Sequence, residues 1–188
     1  MFKNRTKIIM WVVLWLVTWG ISQSLWGGDP LKATPAPGTI LVIFIISIVL
    51  AFLIFTNERK VWLSGLSSLQ ILIILLSVGT FSFLDTRLFV SNLLTASHIL
   101  FQQFMIGVLV FMIPSEKFRR SALRVLLLFG ASHLLLAFFM SWTWTIFFTF
   151  LASATAVVFA YLIQRVKYGI TVSFLIHLSF YLLFFKLI

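Results

Sequence analysis

Apolar residues run along this chain in long uniform blocks, separated by short stretches rich in charge, glycine or proline. The blocks lie near residues 8–26, 39–56, 66–84, 88–113, 122–140, 143–163 and 169–187. Each is about as long as the 20-residue helix that crosses a bilayer, so the pattern predicts seven membrane-spanning helices. The first block follows the basic start "MFKNRTK". It is too long for a signal-peptide core and no small-residue cleavage site follows, so it reads as a retained helix. The segment "GGDPLKATPAPG" after it, Gly27 to Gly38, is read as loop.

Composition agrees. Of 188 residues, 62% are apolar and 17% aromatic, with only 10% charged. A soluble domain of this size could not bury so much apolar surface. The fold class is therefore all-α, a single polytopic transmembrane helical bundle over residues 1–188.

The net charge of +10 does not indicate nucleic-acid binding, because the basic residues sit in short loops between apolar blocks. Membrane lipids are the expected partners. With the N-terminus inside, the inner loops collect Lys3, Arg5, Lys7, Arg59, Lys60, Lys117, Arg119, Arg120, Arg124, Arg165 and Lys167. The outer side holds Lys32, Arg87 and Lys186. The bias of 11 to 3 predicts a cytoplasmic N-terminus and an external C-terminus. The expected location is a bacterial cytoplasmic membrane. Cysteine is absent, which removes disulfides, thiolate metal sites and a cysteine nucleophile. The four acids, Asp29, Glu58, Asp85 and Glu116, fall in loops or at span ends. No carboxylate is expected in the hydrocarbon core, which weakens proton-coupled transport. Glu116 is read as a helix-start charge that pairs with Arg120.

Polar residues inside the blocks carry the candidate chemistry. His133 lies nine residues beyond Arg124, roughly 14 Å along its helix. His177 lies ten residues beyond Lys167, about 15 Å in. Gln103 lies 11 residues before Pro114, about 16 Å from the inner end of the fourth span. Spans four, five and seven thus bring imidazole and amide groups to one depth. Polar groups in lipid face the bundle interior, so a polar pocket among these spans is expected. His98 and Gln102 share a helix face, as do Phe129 and His133, and Ser173, His177 and Tyr181. Thr145, Thr149 and Ser153 on span six read as packing. His98 reads as a structural partner at the pocket edge. It sits about 7 Å off the common depth, so no metal is assigned to the three histidines, and no cofactor is indicated.

At "LLFGASHL" and "GITVSFLIHLSFYLLF" the chain resembles the CPBP family, the type II CAAX-protease and bacteriocin-processing membrane proteins also called Abi. The family shows Glu-Glu-x-x-x-Arg, then Phe-x-x-x-His, then His-x-x-x-Asn. Phe129 to His133 matches the second motif and His177 the histidine of the third. The resemblance covers about residues 98 to 187, making 88–188 a CPBP-like core after three N-terminal spans in 1–87. It implies an intramembrane peptidase in which a glutamate activates water and the histidines His133 and His177 assist. Two departures stand out. Tyr181 occupies the asparagine position. In "FQQFMIG", at the right depth, Gln102 and Gln103 stand near the two glutamates, and no arginine follows at the required spacing. "PSEKFRR" offers Glu116 and Arg120 but lies too close to His133. An amide cannot take a proton. The expectation is a degenerate, non-proteolytic relative that still binds a peptide or lipidated protein segment.

Three other readings are weaker. A residual peptidase would need His133 or His177 as base. A rhomboid-type serine protease would use Ser132, but Ser132 and His133 point about 100° apart on a helix. A small-solute transporter subunit would fit the size, but the sequence predicts no broken helix pair and no membrane carboxylate.

Overall fold

The computed structural model describes residues 2–26, 37–112, 117–138 and 141–184. Asp29, Glu116 and Lys186, and with them the readings placed on those residues and on 27–36, lie outside the described residues.

Each predicted block is helical over most of its described residues. They form α1 (Phe2–Trp26), α2 (Pro37–Ile54), α3 (Thr56–Ser64), α4 (Ser68–Phe83), α5 (Phe89–Phe111), α6 (Phe118–Val125), α7 (Trp142–Arg165) and α8 (Gly169–Phe184). Among the described residues, three helical stretches are long and apolar enough to cross a membrane. They are Thr86–Phe111, Phe118–Phe138 and Trp142–Arg165; the bent pair α2–α3 makes a fourth if counted as one span.

Three local expectations are corrected. Pro37 and Gly38, read as loop, begin α2; proline suits a first helical position because it has no N–H to leave unbonded. The inner loop expected after residue 56 is the helix α3, set at 98° to α2 across Phe55. A broken helix pair therefore exists where none was predicted. The polar run "TNERK" that follows Phe55 is costly to carry onward through lipid, and the fully buried Phe55 side chain pins the corner. Finally, Glu58, expected in a loop or at a span end, lies in the first turn of α3. It is 3% exposed and ion-paired with Lys7 of α1.

α5 is the axis of the bundle. Every residue from Phe101 to Val110 is buried, and α2, α3, α4, α6, α7 and α8 all pack on this helix. α1 joins through a stripe of indoles spaced by one helical turn. Trp11 stacks on Trp15 at 5.3 Å, Trp11 donates to the Met105 carbonyl at 2.8 Å, and Trp15 stacks on Phe101 at 6.0 Å. α4 opens with a capping box, in which Ser67 and Gln70 exchange side-chain and backbone hydrogen bonds. The Gln70 amide then donates to Thr171 of α8 at 3.1 Å. The turn before α5 is capped by Asp85, whose carboxyl the Arg87 side chain holds below the usual carboxylate range.

The outside is apolar. Phe138, Phe150, Leu69 and Ile146 are all more than half exposed. An apolar surface this extensive belongs against lipid, where it costs nothing, rather than water.

Candidate functional site

The site lies where α5 meets α8. Gln103 and His177, 74 residues apart, are joined by a 2.9 Å hydrogen bond from the Gln103 amide nitrogen to His177 Nδ1. The depth match inferred for spans four and seven is thus a direct contact. One residue earlier on α5, the Gln102 amide nitrogen lies 2.7 Å from His98 Nε2, one turn back on the same helix. Tyr181 bridges the two pairs, with its ring centroid 6.0 Å from that of His98 and 5.6 Å from that of His177.

These contacts set the tautomers. An amide nitrogen can only donate. His98 Nε2 and His177 Nδ1 are therefore acceptors, and the ring protons sit on His98 Nδ1 and His177 Nε2. His133 is the reverse case. Its Nδ1 lies 2.9 Å from the Phe129 carbonyl, which only accepts, so that nitrogen carries the proton. Its Nε2 is left with a lone pair. Two polar atoms here are buried without a partner: His98 Nδ1 and Gln103 Oε1. The cluster thus offers a buried donor and a buried acceptor within a set of neutral groups.

Beyond Val125, α6 continues into unusual backbone. It widens into a π turn over Leu126–Gly130 and tightens into a 3-10 helix over Ala131–Phe138. Such departures from α geometry are uncommon at this length and often mark functional sites. Phe129, Ser132 and His133 lie on this stretch. Gly130 lets it press on α7: a Cβ there would meet Ser153 Oγ at 2.7 Å and its Cα at 3.0 Å. The fully buried Thr145 donates its hydroxyl to the Ser141 carbonyl at 3.1 Å.

The predicted residues divide. His98, Gln102, Gln103, His177 and Tyr181 form one connected group. Phe129 and His133 touch each other, with ring centroids at 5.1 Å. Phe129 is walled by Trp15 at 5.2 Å. Ser173 does not join the hydrogen-bonded group; its hydroxyl donates to the Ile170 carbonyl of its own helix at 2.9 Å. Ser132 donates to the Phe129 carbonyl at 2.6 Å and accepts from the Trp15 indole at 3.0 Å. Its proton is committed to a carbonyl rather than to an imidazole, which removes the serine-protease arrangement.

Sequence reasoning missed the walls of the site. Phe44 of α2 lies 4.8 Å from the His98 ring, and Phe159 of α7 lies 5.4 Å from that of His177. The Trp11, Trp15, Trp19 spacing of four was a readable signal for a buried α1 face. Among the described residues, no group of three or more His, Cys, Asp or Glu is arranged to hold a metal ion. No family model matches the chain, and neither does any curated protein or solved structure.

Proposed function

We propose that the chain is a non-proteolytic relative of the CPBP intramembrane peptidases, which keeps their polar interior and binds a peptide or lipidated segment there. The bundle crosses a bacterial cytoplasmic membrane seven times, N-terminus inside. The observation that carries this reading is the Gln103–His177 bond between α5 and α8, with Gln102 on His98 beside it. The amides occupy the positions where the resemblance places the catalytic glutamates. They hydrogen-bond the imidazoles but cannot accept a proton from water. Gly107 stands five residues after Gln102, where the family's arginine falls. The Trp62 indole fills that space: a Cβ at Gly107 would lie 2.7 Å from Trp62 Cδ1. An arginine there would collide with this ring.

The test is cleavage of membrane-anchored peptides by the full chain in proteoliposomes. Wild type is expected to leave them intact, as is Gln102→Glu/Gln103→Glu while Trp62 occupies the arginine position. Cleavage by wild type that is lost in His133→Ala or His177→Ala would overturn the reading.

A second reading, a small-solute transport component, is favoured by the α2–α3 elbow and the buried Glu58. Both run against the sequence expectation of no broken helix pair and no membrane carboxylate. Uptake of a solute that depends on Glu58 would select it over the first.

A further inference from the structure

One end of the bundle gathers cations that have no carboxylate partner among the described residues. Ser121 of α6 donates to Gln164 of α7 at 3.0 Å, and the Phe118 and Tyr161 rings meet edge-on at 5.8 Å. These contacts bring the start of α6 against the end of α7. Lys117, Arg119 and Arg120 are exposed at the first of these, and Arg165 and Lys167 at the second. Among the described residues no carboxylate pairs with any of the five. Glu58 is held by Lys7 and Asp85 by Arg87. Glu116 is the sequence neighbour of Lys117, and counting its charge still leaves the patch strongly positive.

The depth of the patch identifies what it meets. α7 begins at the exposed indoles of Trp142 and Trp144, 67% and 49% exposed. It ends 24 residues later, about 36 Å away at 1.5 Å per residue. Indoles at one end and cations with tyrosines at the other mark the two interfaces of a membrane about 30 Å thick in its hydrocarbon. Tyr161 and Tyr168 are about half exposed beside the cations, and Lys167 Nζ lies 5.3 Å from the Tyr168 ring. The five cations therefore stand at the level of lipid phosphates. The guanidinium groups of Arg119, Arg120 and Arg165 suit phosphate oxygens, which they can engage two at a time.

We infer that the α6–α7 end is a docking surface for acidic phospholipid headgroups, held by Lys117, Arg119, Arg120, Arg165 and Lys167. It lies apart from the histidine site and does not depend on the peptidase-like reading. The experiment uses the full chain in detergent micelles, doped with phosphatidylglycerol or phosphatidylcholine, with bound lipid counted by native mass spectrometry. Phosphatidylglycerol is expected to be retained in preference to phosphatidylcholine, and the preference to fall steeply with added salt. Neutralising Arg119, Arg120 and Lys167 to glutamine should weaken retention about a hundredfold, at roughly fivefold per basic group near an acidic surface. Arg119→Lys/Arg120→Lys should keep most of the preference, because the charge remains. Equal retention of the two lipids by wild type, or a preference that salt leaves unchanged, would overturn the assignment whether or not the variants fold. So would displacement of the lipid by an equal concentration of inorganic phosphate.

Discussion

Gly107 has no side chain, and the Trp62 indole uses the space. Alanine there would place a methyl group 2.7 Å from Trp62 Cδ1 and 3.1 Å from its Nε1. Both partners are held by fixed helices, so the clash cannot relax cheaply. Gly107→Ala should destabilise the protein by about 1–3 kcal/mol, the usual cost of overpacking. Adding Trp62→Leu should recover part of that loss, and a double-mutant cycle of thermal unfolding in micelles would measure the coupling. No coupling would mean that the ring moves freely. Gln103 makes a second residue-scale prediction. Its amide donates to His177 Nδ1, so 15N NMR should find the His177 proton on Nε2. Gln103→Glu reverses the polarity, because an ionised carboxylate only accepts, and the proton should move to Nδ1. The partners Gln103 and His177 were legible in the sequence because a polar group in an apolar helix has few places to go, and counting residues gives its depth. Ser173 was not. A hydroxyl is short enough to bond its own helix backbone, and it does so at Ile170.

At the scale of elements, the least legible features are the two irregular ones. A segment apolar on all faces, such as "LLLFGASHLLLAFF", carries no periodicity that could distinguish α, π and 3-10 winding. The α2–α3 corner lacks the proline or paired small residues that usually announce a break. It is held instead from outside, by burial of Phe55 and by the Lys7–Glu58 ion pair. The enclosure of Glu58 is not legible in the sequence, because its partner Lys7 lies 51 positions away. Removing one partner leaves the other charge stranded in the interior. Glu58→Gln and Lys7→Met should each destabilise by about 3 kcal/mol, near the low end for a buried pair because Lys7 remains 17% exposed. The double variant Lys7→Met/Glu58→Leu should be more stable than either single one, since no lone charge remains. Thermal unfolding of all three variants checks this, and additive losses would mean that the two groups act independently.

For the whole molecule, helix length and loop charge give different counts of bilayer crossings. α4 and α8 have 16 residues each, about 24 Å long, against hydrocarbon about 30 Å thick. By length alone their described residues fall short, and among the described residues three or four stretches qualify as spans. The charge distribution argues differently. Lys60 on α3 and Arg87 before α5 flank α4, and the 11-to-3 bias holds only if they lie on opposite sides. α4 and α8 are also bound to one another through Gln70 and Thr171, so two short helices share one locality, where the bilayer can thin at modest cost. Because the chain has no cysteine, single cysteines placed at Lys60, Arg87, Arg119 and Lys167 report topology directly. With seven spans, a membrane-impermeant maleimide added to intact cells should label position 87 alone. Positions 60, 119 and 167 should react only after the membrane is opened. If position 87 instead behaves like position 60, α4 does not cross. The N-terminus would then keep its side, while the loops after α5 would exchange sides and carry the cationic α6–α7 end to the outer leaflet.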